Sequence, residues 1–148
     1  MIIMRIRYAA ALVTFGLLIA GGVEHAVVTA QSEKTVWSGI YTAEQATRGK
    51  ARAETTCGSC HAATMKGELA PALVGEEFIG HWYDAKLSEL VMKVNQTMPA
   101  DAPGSLKPEE YADIMAYLLQ INGFPAGQEP LVLEPVASLD AVKITKTK

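Results

Sequence analysis

The chain has 148 residues, and its 13 lysines and arginines against 16 aspartates and glutamates give a net charge of −3 at pH 7. This length suits a single domain with one hydrophobic core. The mildly acidic balance argues against a nucleic-acid-binding protein, because contacts to phosphates require a basic face.

The first 30 residues have the pattern of a secretory signal peptide. Arg5 and Arg7 precede an uncharged apolar run over residues 8–22, and Val28-Thr29-Ala30 stands before a polar start. A basic region, a short apolar core and small residues define such leaders, whereas a membrane span needs about 20 apolar residues. We therefore predict that residues 1–30 are cleaved on export to the periplasm. An uncleaved anchor is the alternative, and only then is contact with a membrane expected.

Residues 31–41 form an irregular lead-in, and the first helix is expected to follow it. Thr42 and Gln45 fit a capping box, with Thr42 at the N-cap and Gln45 at the third helical position. The alanine-rich stretch after Thr42 predicts a helix to about Glu54. Gly49 lies inside it, where glycine costs about 1 kcal/mol relative to alanine. Either another helix approaches Gly49 closely, or the glycine is merely tolerated.

Cys57-Gly58-Ser59-Cys60-His61 follows this helix directly and has the C-x-x-C-H spacing of covalent haem attachment. Two thiols three positions apart can each add to a vinyl group of the porphyrin, while the adjacent imidazole binds the iron. Both cysteines of the chain lie in this motif. We predict one haem c, held covalently by Cys57 and Cys60, with His61 as an axial ligand.

Three other uses of the two cysteines are less favoured. A thioredoxin-like redox pair requires a preceding strand within a βαβ pattern, and the residues before Cys57 favour a helix. A structural zinc site requires four nitrogen or sulfur ligands, but the other histidines are only His25, in the leader, and His81. A structural disulfide is the third alternative.

Two further helices are predicted after the motif. Glycines and prolines punctuate residues 62–80, which indicates a loop with short turns. Asp84 can cap a helix over about residues 85–96. Pro108 is well placed as the first residue of the last helix, which Gly123 closes. Both helices carry an apolar stripe: Leu87, Leu90, Val91 and Val94 in one, and Tyr111, Ile114, Met115, Leu118 and Ile121 in the other.

Residues 125–148 contain three prolines and a lysine-rich end. This composition predicts an extended C-terminal tail that is partly docked, with its last residues mobile. We find no internal repeat and predict no sheet. Three main helices with glycine-rich loops around one large apolar cofactor are therefore expected.

The second axial ligand of the iron decides whether the site transfers electrons or binds small molecules. Met98 is the leading candidate, because it follows a helix and Pro99 favours an extended Met98. A thioether is a weak, soft ligand, and His/Met ligation raises the haem potential. The residues alone leave open that Met98 fills a gap in the core.

Four other residues are weaker candidates for the distal position. Met65 is too near the attachment site to reach the opposite face comfortably. Met92 lies off the apolar stripe of its helix, and Met115 lies on the stripe of the last helix and is expected in the core. His81 could bind through its imidazole, although a partly exposed loop histidine is the default expectation.

Taken in order, these motifs resemble the class I cytochrome c family, in particular its small bacterial monohaem members. The resemblance covers about residues 40–125, and an all-α cytochrome c domain is implied over 42–124. Its motifs are the helix with Gly49, Cys57 to His61, Ala70-Pro71-Ala72-Leu73-Val74-Gly75, Thr97-Met98-Pro99, and Tyr111 to Leu119 as the last helix.

The resemblance also implies roles for particular residues. The helix with Gly49 would pack against the last helix near Tyr117, and the Pro71 carbonyl would accept the ring N–H of the proximal histidine. Met98 would be the distal ligand. Trp82 would lie over a haem edge or near a propionate, with a place in the core equally expected.

These expectations favour periplasmic electron transfer, by a carrier or by the cytochrome subunit of a respiratory or dehydrogenase chain. No set of acid, base and nucleophile is evident, so we expect no catalytic activity of its own. Residues 122–127 resemble cytochrome segments associated with quinoprotein dehydrogenases, which makes such an enzyme a possible redox partner beside a terminal oxidase. The alternatives are a haem enzyme or gas sensor with an open distal site, and a fixed subunit that docks through its tail.

Overall fold

The computed structural model describes residues 33–147, so the predicted leader lies outside the described residues. Within this part of the chain the fold is mostly helical, as predicted, with five α-helices joined by loops. The α-helices are α1 (Ala43–Thr56), α2 (Gly58–His61), α3 (Glu76–Trp82), α4 (Leu87–Thr97) and α5 (Pro108–Ile121). The remaining elements are the 3₁₀ helices Val36–Ser38 and Val136–Ala141 and the strands β1 (Lys34–Thr35) and β2 (Val142–Lys143).

The capping box predicted for α1 is present. The Thr42 hydroxyl accepts a hydrogen bond from the Gln45 backbone N–H at 3.3 Å, and the Gln45 side chain accepts from the Thr42 N–H at 3.3 Å. Both bonds satisfy amide groups that have no partner within a helix. The helix runs two residues beyond Glu54 and ends at Thr56, directly before the cysteine motif.

Gly49 is where α1 and α5 approach each other. A Cβ atom at Gly49 would lie 1.8 Å from the carbonyl oxygen of Asp113 and 3.0 Å from the backbone nitrogen of Ile114. Beside this contact, two nitrogens of the Arg48 guanidinium each donate to Asp113 at 2.7 Å. The close approach that the sequence left open is therefore present. It lies about one turn before Tyr117, the residue that the resemblance suggested.

The last helix agrees with its predicted start and end. Pro108 is the first residue of α5, and the Glu110 carboxylate accepts a hydrogen bond from the Lys107 N–H at 2.9 Å. The helix ends at Ile121, and Gly123 has a left-handed backbone with φ +85°. Because side chains disfavour this conformation, glycine is the natural residue for that position.

Two predictions between the motif and α4 were wrong. Residues 62–80 are not loop throughout, because α3 begins at Glu76 and buries Phe78 in the core. Gly75 directly before this short helix and Gly80 within it concealed it. Asp84 does not cap α4: its backbone is left-handed, with φ +64°, and its carboxylate pairs with Lys143 at 3.1 Å.

The two ends of the described chain form structure that we did not predict. β1 and β2 pair in parallel, with Lys34 opposite Val142 and Thr35 opposite Lys143. Residues 34–38 of the expected lead-in and 136–143 of the expected extended tail therefore form short strands and 3₁₀ helices. Parallel pairing across more than a hundred residues has no local sequence signal. Buried apolar residues of both ends join the core: Val36, Ile40, Leu131, Leu133, Leu139, Val142 and Ile144.

The buried side chains form two adjoining clusters. The larger one combines α4 and α5 with both chain ends. The smaller one lies next to the cysteine motif and contains Ala53, Met65, Ile114, Tyr117 and Leu118. Among residues 33–147, no helix is both long and apolar enough to cross a membrane.

Candidate haem site

The cysteine motif lies where α1 ends and the short helix α2 begins. The Cys57 N–H donates to the Ala53 carbonyl at 2.7 Å, and the His61 N–H donates to the Cys57 carbonyl at 3.0 Å. This helical backbone presents Cys57 half-buried and Cys60 exposed, both as free thiols. Both thiols are therefore available for covalent attachment.

The geometry around the thiols disfavours the other uses of the motif. Residues before Cys57 form α1 rather than a strand, so the thioredoxin-like arrangement is absent from this segment. Among residues 33–147, no group of three or more His, Cys, Asp or Glu side chains is arranged to hold a metal ion. A four-ligand zinc site therefore has no counterpart in the described part of the chain.

The His61 ring is held by a hydrogen bond to the backbone. Its Nδ1 atom lies 2.7 Å from the Pro71 carbonyl oxygen, and the residue is 7% exposed. A carbonyl oxygen can only accept, so Nδ1 is the donor in this contact, which in the neutral imidazole leaves the lone pair on Nε2. An Nε2 lone pair on an oriented ring is what an iron ligand requires.

The loop that carries Pro71 is tied back to the motif. The backbone N–H groups of Leu69 and Ala70 both donate to the Cys60 carbonyl, at 3.0 and 2.9 Å. The Gly67 N–H donates to the His61 carbonyl at 3.0 Å. The loop thus keeps a fixed position relative to the imidazole that it contacts.

Asn122 fastens the same loop to the end of α5, and the sequence analysis did not assign it this role. Its side-chain amide donates to the carbonyls of Leu73 and Leu118 at 2.9 and 2.8 Å, and its oxygen accepts from the Gly75 N–H at 2.9 Å. An asparagine directly after a helix and before a glycine was the available signal, but its partner loop could not be identified from sequence.

The two thiols differ in their surroundings. Burial raises the pKa of the Cys57 thiol above its ordinary value, and the positive charge of Arg52 partly opposes this effect. Before attachment, Cys57 is therefore held as the neutral thiol at neutral pH.

Met98 lies at the C-terminal end of α4 and is half-buried. Its backbone is extended, with φ −127° and ψ 147°, as expected for a residue before proline. Its N–H donates to the Val94 carbonyl at 2.9 Å, and its carbonyl accepts from the Tyr111 hydroxyl at 2.7 Å. Both backbone polar groups of Met98 are thus engaged, by α4 and by α5.

The weaker distal candidates lie in other surroundings. Met65 and Met115 are fully buried in the core, at 0% and 1% exposure. Met92 is 40% exposed on α4, and His81 is exposed on α3, with its ring against the half-buried Trp82. Trp82 packs against the larger cluster.

The residues around the motif fit a covalently bound porphyrin. A rim of half-buried apolar side chains packs on the smaller cluster beside Cys57: Leu73, Val74, Leu106 and Ile121. Such a rim can bury the apolar part of a porphyrin, with about 25 cal/mol gained per Å² removed from water. Two free thiols, one oriented imidazole and this rim are the groups that haem c requires.

Comparison with known proteins supports the same conclusion. A family model described as "Cytochrome C oxidase, cbb3-type, subunit III" matches residues 44–118, which is just over half of the chain. No match was found among curated proteins or among solved structures. The matched range contains the cysteine motif, the Pro71 loop and Met98. The chain therefore belongs to the monohaem class I cytochrome c family, whose covalently bound haem c serves electron transfer.

Proposed function

We propose that this protein transfers electrons in the periplasm through a haem that is attached to Cys57 and Cys60 and bound by His61 and Met98. The observation that carries the proposal is the contrast among the four described methionines. Two are in the core and Met92 lies on a solvent-exposed part of α4, whereas Met98 is half-buried with its backbone held at both polar groups.

When bound, the haem supplies an iron that cycles between the ferric and ferrous states. His61 and Met98 would remain ligands in both states, so little structural reorganisation accompanies each electron. The Pro71 hydrogen bond keeps the His61 ring in one tautomer and one orientation. The apolar rim lowers access of water to the site, and a thioether opposite an imidazole favours a raised potential.

Optical spectra of the mature holoprotein test the Met98 assignment. We expect a ferric sulfur-to-iron charge-transfer band and no response of the ferrous protein to carbon monoxide. Met98→Ala should abolish the band and permit carbon monoxide binding. Met92→Ala is the matched control, because it removes a thioether from the same helix, and it should behave as wild type.

A different result would support the haem enzyme or gas sensor instead. If wild type binds carbon monoxide readily and Met98→Ala has the same spectrum as wild type, the distal position is open and Met98 only fills space. The electron-carrier proposal would then be rejected in its His/Met form.

A terminal oxidase is the redox partner that we favour, supported by the description of the matching family model. The 122–127 stretch was the reason to consider a quinoprotein dehydrogenase. In this structure its residues make packing contacts within the domain. Asn122 fastens the Pro71 loop, and the Phe124 carbonyl accepts the Tyr41 hydroxyl at 2.6 Å. A Cβ atom at Gly127 would lie 1.9 Å from the Gly39 carbonyl oxygen.

The choice between these two redox partners can be tested directly. Oxidation of the reduced protein by membranes that contain such an oxidase is compared with reduction of the oxidised protein by a quinoprotein dehydrogenase.

Whether the protein is a free carrier or a fixed subunit is best tested by surface substitution. Deleting the tail would remove buried leucines worth about 1.5–3 kcal/mol each, so lost association could reflect unfolding. Val132 is 59% exposed on the tail, and Val132→Ser leaves the core intact. Reduced co-purification with oxidase subunits would support docking through the tail, and unchanged association would reject it.

Mass spectrometry of the exported protein tests cleavage after Ala30.

A further inference from the structure

Tyr111 makes a specific contact to the segment that carries Met98. Its hydroxyl donates to the Met98 carbonyl oxygen at 2.7 Å, and its side chain is 2% exposed. The residue lies in the first turns of α5, where its own N–H donates to the Lys107 carbonyl at 3.1 Å. The donor hydroxyl therefore belongs to a buried side chain on a regular helix.

Met98 needs such an anchor because it stands where the chain leaves α4. Its N–H is the last group bonded back into that helix, to Val94. The following loop over residues 99–107 is held by short turns, in which the Ala102 N–H donates to the Pro99 carbonyl and the Ser105 N–H to the Ala102 carbonyl. The Tyr111 bond fixes the carbonyl end of Met98, and with it the direction in which the Cα–Cβ bond leaves the backbone.

The position of Tyr111 is set by the same helix pair that carries the cysteine motif. α5 contacts α1 closely at Gly49 and Asp113, and α1 leads directly into Cys57. The hydroxyl of Tyr111 thus connects the Met98 backbone to the rigid unit on which Cys57 and His61 stand.

We propose that Tyr111 is a positioning residue that directs the Met98 thioether toward the iron. This inference rests on the proposed function, in which Met98 is the distal ligand. Tyr111 does not touch the iron in this scheme; it acts through the backbone of Met98. Its removal should weaken the iron–sulfur bond without removing the sulfur.

Tyr111→Phe tests the proposal, with Tyr41→Phe as a matched control. Tyr41 is 1% exposed and donates its hydroxyl to the Phe124 carbonyl at 2.6 Å, so both variants lose one hydroxyl bonded to a backbone carbonyl. The apparent affinity of each ferric holoprotein for exogenous imidazole is measured, together with the sulfur-to-iron band and the urea unfolding midpoint.

We expect imidazole to bind Tyr111→Phe about fivefold to tenfold more tightly than wild type, as loss of one hydrogen bond to the ligand segment implies. The band should weaken in the same variant. Tyr41→Phe should lower the urea midpoint to a similar extent while keeping the wild-type imidazole affinity. If Tyr111→Phe does not fold, a ring-fluorinated tyrosine at position 111, which is a stronger donor, should instead weaken imidazole binding.

The result that overturns the proposal is an imidazole affinity in Tyr111→Phe equal to that of Tyr41→Phe, or no change with the fluorinated residue. Met98→Ala separates this outcome from failure of the proposed function. If Met98→Ala binds imidazole like wild type, Met98 is not the ligand. If Met98→Ala binds much more tightly and the two tyrosine variants are alike, only the role of Tyr111 is rejected.

Discussion

The segments that carry His61 and Met98 are held in place by different kinds of contact. The His61 imidazole is itself hydrogen-bonded, to Pro71, and the loop beneath it is fastened to the motif and to Asn122. Met98 is held through its backbone, by Val94 on one side and by Tyr111 on the other. The ring orientation of His61 is thus set directly, whereas the direction of the thioether is set indirectly.

This difference predicts that disturbances will affect the His61 and Met98 segments unequally. A side chain oriented by its own hydrogen bond tolerates small backbone shifts, because the bond moves with the ring and its loop. A side chain whose backbone carries the hydrogen bonds follows such shifts more closely. The Met98 side chain should therefore be displaced more easily than the His61 ring.

The largest effect is expected for Gly49→Ala, which disturbs the helix pair beneath both segments. The added Cβ would lie 1.8 Å from the Asp113 carbonyl oxygen, so α1 and α5 must separate. Overpacking of this kind costs about 1–3 kcal/mol or more. We expect a large drop in the urea midpoint and, if His61 and Met98 bind the iron as proposed, tighter imidazole binding, because both segments are affected.

Gly80→Ala is the control for this substitution. A Cβ at Gly80, within α3, meets nothing within 4 Å, and alanine in a helix is favoured by about 1 kcal/mol. Equal stability of the two variants would show that the close α1–α5 contact is not required for the stability of the fold. The idea that this contact supports both the His61 and the Met98 segments would then be rejected.

An intermediate effect is expected for Asn122→Ala, which acts on the His61 side alone. The change removes the hydrogen bonds to the exposed Gly75 N–H and to the half-buried Leu73 carbonyl, each worth about 0.5–1.5 kcal/mol. The urea midpoint should fall while imidazole affinity remains that of wild type. Asn95→Ala, at an exposed position on α4, should change neither. Tighter imidazole binding in Asn122→Ala would contradict the separation of the two sides.

The smallest effect is expected for Ser88→Ala, at the start of α4, the helix that ends directly before Met98. The buried Ser88 hydroxyl donates to the Asp140 carboxylate, and this bond, followed by the charge of Lys86, lowers the pKa of Asp140 below its ordinary value. A lowered folded-state pKa stabilises the protein above the unfolded value, and this stabilisation is lost as the pH falls through the folded pKa.

Wild type should therefore be more stable than Ser88→Ala at pH 7, and the difference should vanish in urea titrations below the folded pKa of Asp140. Asp140→Asn should remove this pH dependence. If the stability difference between wild type and Ser88→Ala persists unchanged at low pH, it comes from packing around Ser88 instead.

Local chemistry made several features of the fold predictable. The capping box of Thr42 and Gln45 spans four residues, and Pro108 and Gly123 mark the start and end of α5 by their own backbone preferences. The C-x-x-C-H motif likewise places its groups by spacing alone. Each signal lies within a few residues of the structure that it specifies, so no tertiary contact was needed to read it.

Two of the differences involve contacts between distant residues. Asp84 looked like a helix cap, but its carboxylate pairs with Lys143 across 59 positions. The tail had no periodicity, yet Leu131, Leu133 and Leu139 are buried, and the Leu131 backbone exchanges two hydrogen bonds with the Gln45 side chain, at 2.7 and 3.0 Å. The packing partners of these residues cannot be identified from sequence. Without them, prolines and short apolar runs indicate an extended tail.

The sequence by itself therefore determined the all-α class, the haem motif, the start of α1 and the bounds of α5, because these depend on interactions between near neighbours. Only the tertiary structure decided where the tail packs, how Asn122 holds the Pro71 loop and which hydroxyl contacts Met98. Those contacts depend on which surfaces meet when the chain is compact, and a buried polar group takes whatever partner that packing brings within reach.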